Sequence, residues 1–411
     1  MRRAVVTGMG VVSPVGSDLE SFWGNIRSGV SGIGPITSFD VSQYASQIAG
    51  ELSGYDPDQH LDRKERRRMD EFACYAMAAA RMAREDSGID VGSDDPKRLG
   101  VIVGSGVGGL KTLEAQHSVL LDRGPSRCSP FMIPQMIVNM ASGLIAIDLN
   151  AKGPNYAVVS ACATAAHSMA DALRLIQRGE VDVMFTGGSE SPVCPLGVGG
   201  FSAMKALSTR NDAPEHASRP FDRDRDGFVI AEGAAVLVLE ELEHARKRGA
   251  KIYGELAGAG LTCDAYHITA PSETGEGAAR AMQQALRDAG ANPEETDYVN
   301  AHGTSTQLND KFETRAIKTA LGEENARRVM VSSSKSMTGH LLGAAAGIES
   351  AVCLLALRDG VVPPTINQEN ADPECDLDYV PNEARRADIK LALNNSLGFG
   401  GHNACLAFRK V

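Results

Sequence analysis

Asn155-Tyr156-Ala157-Val158-Val159-Ser160-Ala161-Cys162-Ala163-Thr164 is the stretch on which the fold turns. Its apolar, branched start predicts a strand over 155–159. Small residues then bend the chain, and the apolar spacing predicts a helix over 165–178. A cysteine at such a turn lies near free backbone N–H groups and the positive end of a helix dipole. The expectation is a thiol biased toward thiolate, with its own N–H available to an oxyanion. The turn alone stays ambiguous, because buried structural cysteines are common.

Strands and helices alternate on both sides of this turn. Upstream, strands are predicted at 4–6 and 99–103, and helices at 18–27 and 64–86. Downstream, strands are expected at 182–185, 234–239, 252–259, 298–301, 329–332 and 390–394. Helices are expected at 241–248, 277–289 and 310–321. The apolar run 341–357 carries Glu349 in its middle. It is too short and too polar to cross a membrane and reads as a buried core helix. Such alternation along 411 residues argues an α/β fold with covered sheets. The weakest seam falls near Lys251, dividing 1–251 from 252–411. No internal repeat is visible.

Bulk chemistry excludes several classes. The net charge is −11, from 41 basic and 52 acidic residues. Such a chain is a poor general nucleic-acid ligand, because counterion release needs a basic surface. One local exception is Arg63, Lys64, Arg66, Arg67 and Arg68, interrupted only by Glu65. The run suits an acidic partner, and it also suits a plain solvated helix face. The eight cysteines are scattered without a C-x-x-C pair, which points to cytosolic thiols rather than a zinc or disulfide framework. Thr7, Gly8, Gly10 and Pro14 break the N-terminal apolar stretch, so it reads as a strand and turn, not a signal peptide.

Two motifs mislead. Gly104-x-Gly106-x-x-Gly109 follows a strand like a dinucleotide fingerprint, but no second strand ending in an acid follows. A glycine bend lining a pocket is the better reading. Asp222-x-Asp224-x-Asp226-Gly227 begins like a calcium loop, yet the twelfth position is Gly233, where the loop needs glutamate.

Two histidines stand out. His302 lies in Asn300-Ala301-His302-Gly303-Thr304-Ser305-Thr306, and His340 closes Lys335-Ser336-Met337-Thr338-Gly339-His340. Glycine and hydroxyl neighbours let a polar ligand approach both rings. With Cys162 they suggest one site. Gly398-Phe399-Gly400-Gly401 adds a flexible loop.

These segments, with 219–227 and 395–403, resemble the signature segments of the β-ketoacyl-[acyl-carrier-protein] synthases, in order from about Arg3 to Arg409. The branch it most resembles is synthase II, of fatty-acid elongation. The resemblance implies a thiolase-like fold: two similar α/β halves stacked as αβαβα, in a cytosolic homodimer. It implies that Cys162 takes an acyl chain from acyl carrier protein, with the N–H groups of Cys162 and Phe399 as oxyanion donors. Malonyl carrier protein then loses carbon dioxide under hydrogen bonds from His302 and His340, and its enolate attacks the acyl-cysteine.

Lys335 becomes an electrostatic support and Phe399 a gate. Thr304 and Thr306 match positions that bind the phosphopantetheine arm; Val107 and Phe201 belong to the substrate pocket. Lys64, Arg67, Arg68 and Lys205 match the carrier-docking surface. Asn300, Glu349, Asn394 and Asn395 resemble a monovalent-cation site, which a buried polar network would mimic. No resident cofactor is implied, since the phosphopantetheine arm arrives with its carrier. Departures at Ala163 to Ala166, Leu397 and Gln307-Leu308-Asn309 leave chain-length preference open. A polyketide ketosynthase would share every catalytic residue. A thiolase would need a second cysteine where His402 stands, and a non-catalytic chain-length factor would lack Cys162.

Overall fold

The computed structural model describes residues 1–92 and 95–411. Ten strands form one continuous sheet. The first five are β1 (Ala4–Val12), β2 (Leu99–Gly104), β3 (Asn155–Tyr156), β4 (Val183–Glu190) and β5 (Gly233–Glu241). The second five are β6 (Gly254–Cys263), β7 (Tyr298–Asn300), β8 (Met330–Ser332), β9 (Leu391–Gly398) and β10 (His402–Arg409). Two short ladders, pairing Gly34–Pro35 with Ile48–Ala49 and Val361–Val362 with Arg385–Arg386, lie apart.

The order across the sheet is β8-β7-β9-β10-β6-β1-β5-β4-β2-β3. Read outward from its centre, β1-β5-β4-β2-β3 and β6-β10-β9-β7-β8 are one topology written twice. Directions agree as well. In each set the first three strands pair antiparallel and the outer three pair parallel. The sets join where Ala4, Val5 and Val6 pair with Leu256, Glu255 and Gly254.

Six helices repeat the pattern: α1 (Glu71–Ser87), α2 (Leu110–Arg123), α3 (Thr164–Gln177), α4 (Glu276–Ala289), α5 (Gln307–Leu321) and α6 (Ala345–Asp359). The outer helix α1 covers β1, β4 and β5, and α4, beside α5, covers β6 and β10. Between the two strand sets lie α3 and α6, which touch each other and strands of both. That gives five layers, αβαβα, as expected.

Strand side chains alternate accordingly. Ala235, Leu237 and Leu239 of β5 face the middle helices, while Ala234, Val236 and Val238 face α1. In α6 every residue from Ala345 to Leu357 is buried. A helix apolar all round belongs inside, with both flanks covered. The outer helices lie directly on the first strand of each set. A Cβ on Gly10 would sit 1.9 Å from Ala79 O of α1, and one on Gly260 would sit 1.9 Å from Ala281 O of α4. Both contacts require glycine, and they are the same contact in each half.

Two expectations are corrected here. The helix expected over 64–86 is two helices, Arg63–Arg66 and α1. Asp70 ends the first run by capping the second: its carboxylate accepts from Phe72 N–H (3.3 Å) and from Thr112 N–H (2.9 Å). The strand expected over 155–159 pairs only at Asn155 and Tyr156, because the chain then leaves the sheet edge to build the cysteine turn.

Candidate active site

Cys162 is presented by a strained turn. Ala161 has φ +51°, in the left-handed region that disfavours a Cβ, and Ala161–Ala163 form one 3₁₀ turn leading into α3. Ser160 N–H donates to Thr164 Oγ1 (2.9 Å), fixing the entry to the helix. Behind the turn runs the end of β9. A Cβ on Gly398 would lie 2.7 Å from Ser160 O and 3.3 Å from Cys162 N, so the backbone of 398–399 can come this close only as glycine. The N–H groups of Phe399 and of Cys162 itself both reach the sulfur.

The protonation state departs from the expectation. Burial pushes the Cys162 thiol up to about 12; the Lys335 charge pulls it down, Glu190 pushes it up, and the two N–H groups pull it down. Desolvation outweighs the helix terminus, and the resting thiol is protonated at neutral pH.

His302 follows the end of β7 and His340 follows the short helix Lys335–Thr338; their rings meet edge to face, centroids 5.3 Å apart. Phe228 stands edge-on to His340 at 5.3 Å. Burial, and then the charge of Lys335, hold both imidazoles well below the usual histidine range. Both rings are therefore neutral, and neither Nδ1 has a hydrogen-bond partner among the described residues. Backbone contacts fix the loops. His302 N–H donates to Glu313 Oε1 (2.7 Å) and Gly303 N–H to Glu313 Oε2 (2.8 Å). His340 N–H donates to Val229 O (2.7 Å). Burial raises Glu313 to about 7 against those donors. Lys335 is buried and ion-paired with Glu349.

Cys162, His302, His340 and Phe399 line one cavity of about 360 Å³, together with Thr304, Thr306, Phe201 and Lys205. The Thr304 and Thr306 hydroxyls are 3.0 Å apart. Lys335 acts on the site from behind its wall. Val107 lies outside that lining, on the glycine bend after β2. Lys64, Arg67 and Arg68 are exposed at the helix preceding α1 and do not line the cavity.

The cation quartet is split by strand alternation. Asn300 and Asn394 are register partners on β7 and β9, and Asn394 Nδ2 donates to Ala346 O and Ser350 Oγ of α6, the helix of Glu349. The Oδ1 atoms of Asn300 and Asn394, and Glu349 Oε2, are buried without hydrogen-bond partners among the described residues. Three orphaned oxygens on one side of the sheet are a donor set that fits a monovalent cation or a water. Asn395 turns to the opposite face, where its Nδ2 donates to Glu313 Oε1 (3.2 Å), so its side chain is not in that set. The aspartates of the false calcium motif are spent on the fold: Asp222 accepts from Glu369 and Asn370 N–H, and Asp226 from Thr209 N–H.

Sequence reading missed Glu313, Glu190 and Asp264. Asp264 accepts from Asn403 Nδ2 (2.7 Å) and Ser272 N–H (3.1 Å), and Gly400 N–H donates to Ile268 O (2.8 Å). The 264–272 segment thus braces the 398–403 loop over the cavity. No local signal marked these acids, since whose N–H groups they receive is set by packing.

Known proteins match along the whole chain. Residues 1–245 match the beta-ketoacyl synthase N-terminal domain and residues 253–369 its C-terminal domain. A 3-oxoacyl-[acyl-carrier-protein] synthase 2 from Synechocystis is 55% identical over 409 residues, covering 100% of this chain and 98% of its own. A Staphylococcus aureus protein of the same name is 53% identical with the same coverage. Among solved structures, a ketosynthase of a type II polyketide system, bound to its acyl-carrier protein and a hexaketide, aligns with TM-score 0.92 at 36% identity, covering 100% of this chain and 99% of its own. A beta-ketoacyl synthase from Burkholderia phymatum aligns with TM-score 0.92 at 35% identity over 100% of both chains.

Proposed function

The chain belongs to the beta-ketoacyl synthase family, and from that premise we propose how its residues divide the work. The reaction is the decarboxylative Claisen condensation of an acyl chain with malonyl-[acyl-carrier-protein]. It yields 3-oxoacyl-[acyl-carrier-protein] and carbon dioxide, the elongation step of type II fatty-acid biosynthesis. The enzyme is an acyltransferase. The observation that carries the residue assignment is a cysteine beneath two N–H groups, in one cavity with two neutral histidines.

Cys162 attacks the incoming thioester, and its proton leaves with the phosphopantetheine thiol. The N–H groups of Cys162 and Phe399 hold the carbonyl oxygen as it turns negative. The acyl chain stays on sulfur while the first carrier departs, a ping-pong sequence. Malonyl carrier protein enters along Thr304 and Thr306. Neutral His302 and His340 each keep one N–H to donate to its thioester oxygen. As carbon dioxide leaves, the electron pair of the broken C–C bond delocalises onto that oxygen; the carbon end then attacks the acyl-cysteine carbonyl, the C–S bond breaks, and the released Cys162 thiolate takes a proton from solvent. Lys335, held by Glu349, supports the negative charge, and Phe399 gates the acyl pocket. Val107, on its bend, and Phe201, on the cavity wall, meet the acyl chain. No resident cofactor is needed for these steps. Asn300, Asn394 and Glu349 would hold a monovalent cation that stiffens the strand ends beneath His302.

The partner is acyl carrier protein, docking through exposed Lys64, Arg67 and Arg68 and, at the cavity mouth, Lys205. The enzyme works as a homodimer. The edge strand β3 is exposed at both of its residues, and Tyr156 on it and Val159 just after it are 39% and 53% exposed. An open strand edge with apolar neighbours favours pairing with a second copy. Eight free cysteines suit the cytosol. The seam at Lys251 falls between β5 with its following helix and β6, so we divide the halves there. A polyketide role is the second reading, favoured by the type II polyketide ketosynthase neighbour at 36% identity; the 53–55% relatives weigh for fatty-acid elongation.

The test is mass spectrometry of the protein after incubation with acyl carrier protein. Wild type gains one acyl group on the Cys162 peptide and Cys162→Ala gains none. A Cys162→Ala enzyme that still makes 3-oxoacyl carrier protein would overturn the assignment.

A further inference from the structure

Glu190 ends β4, and none of the roles above uses it. Its side chain is 0% exposed. Oε1 accepts from the Ser105 hydroxyl and from Val107 N–H (3.1 Å), and Oε2 accepts from Gly343 N–H (3.3 Å). Gly106 N–H is a further donor to it. Ser105 Oγ in turn accepts from Gly108 N–H (2.9 Å). Every group around the carboxylate donates, which suits an acceptor-only anion.

These bonds gather three working segments. The bend 105–108 carries Val107. Gly343 belongs to the turn that follows His340. A Cβ on Gly106 would stand 3.0 Å from Glu190 Oε2 and 3.5 Å from Ala161 O, the residue before Cys162. A Cβ on Gly343 would stand 2.5 Å from Gly106 N. The acyl-contacting bend, the nucleophile turn and the histidine loop therefore pack on one another around a single acid, with no room for a methyl group between the bend and the histidine loop.

We propose that Glu190, acting through Ser105 and the backbone of Val107, is a positioning residue that fixes the bend against the acyl chain and so sets which chain lengths Cys162 accepts. This rests on the reading of Cys162 as acyl acceptor and Val107 as an acyl-chain contact. Ser105→Ala removes the side-chain link to the bend and leaves the Gly343 link intact. Glu190→Gln keeps the shape, but its NH₂ group must face either Val107 N–H or the N–H groups of Gly106 and Gly343, so a bond to the bend is lost in either orientation.

The experiment measures acyl transfer to Cys162 from carrier proteins loaded with a graded series of chain lengths, and separately carbon dioxide release from malonyl carrier protein. In both variants the longest-to-shortest ratio of kcat/KM should change by roughly tenfold, the scale at which a pocket discriminates by a methylene or two. Ser105→Ala should leave malonyl decarboxylation unchanged. Loss by one factor at every length, or an unchanged profile, would overturn the proposal and leave Glu190 as packing. If Glu190→Gln does not fold, Ser105→Ala decides alone. Wild type that takes no acyl group on Cys162 at any length would instead strike the reading of the site itself.

Discussion

The turn before α3 and the turn before α6 are built alike, and only one carries chemistry. Ala161-Cys162-Ala163 and Leu342-Gly343-Ala344 each form a 3₁₀ turn entered through a left-handed residue, Ala161 at φ +51° and Leu342 at φ +46°. Each is backed by the end of a strand from the opposite half. Gly398 of β9 lies behind Cys162, and Glu190 of β4 accepts from Gly343 N–H. In the first turn, glycine behind the sulfur leaves room for two N–H groups to aim at it. In the second, a carboxylate takes the corresponding N–H and the space is filled. A duplicated scaffold thus yields one reactive turn and one structural turn, and the difference lies in what the crossing strand ends with.

The largest effect expected from breaking this contrast is at the nucleophile. Cys162→Ala should lower condensation by at least about 10³-fold, and adding Gly343→Cys should restore none of it in an acyl-transfer assay. Recovery would mean that the second turn is more open than its 2.5 Å approach to Gly106 implies.

Next come the histidines. His302→Ala or His340→Ala should cut malonyl decarboxylation by about 10²- to 10³-fold, the usual worth of one oxyanion donor, and leave acyl transfer to Cys162 measurable. Both rings are neutral because burial holds them well below the ordinary value of 6.5. Decarboxylation measured against pH should therefore show no inflection near 6.5. Stability carries the opposite signature. The unfolded chain takes up protons at these histidines as pH falls below about 6.5 while the folded chain does not, so this part of the stability is full above that pH and is lost on acidification.

Stability also reports on the half that holds the histidines. Lys335→Met leaves Glu349 buried without its cation. Such a change costs about 3–5 kcal/mol, which urea unfolding would register; a loss below ~1 kcal/mol would show the pair to be relaxed by water. The smallest effect is expected at the surface. Reversing charge at Lys64, Arg67 and Arg68 together should raise KM for carrier-protein substrates several-fold, by about 1 kcal/mol in all, with the difference shrinking at high salt. An unchanged KM would return the run to a solvated helix face.

Much of this site was legible early because its parts are local. The cysteine turn, the two histidine loops and the glycine loop at 398–401 each announce themselves within a few residues. Glu313 and Glu190 were not legible, since a buried acid in a helix or strand has no local pattern, and only packing reveals whose N–H groups it receives. The repeat was hidden for a related reason. Gly10 over Ala79 and Gly260 over Ala281 are the same contact, but two glycines and two alanines in so many leave no mark to a reader along the chain.

The sequence by itself determined the α/β class, the family resemblance and the residue types at the centre of the chemistry. Those follow from periodicity and short motifs, which act over one turn or one strand. Tertiary structure alone decided the protonation of Cys162. A helix terminus favours thiolate, yet burial pushes the thiol up to about 12, and burial is a property of everything packed around the sulfur. It decided, too, that Asn395 faces away from Asn394, and that the acid closing β4 serves the turn of the other half. Each of these depends on which strand crosses behind which turn, and that is set by the sheet order rather than by neighbours along the chain.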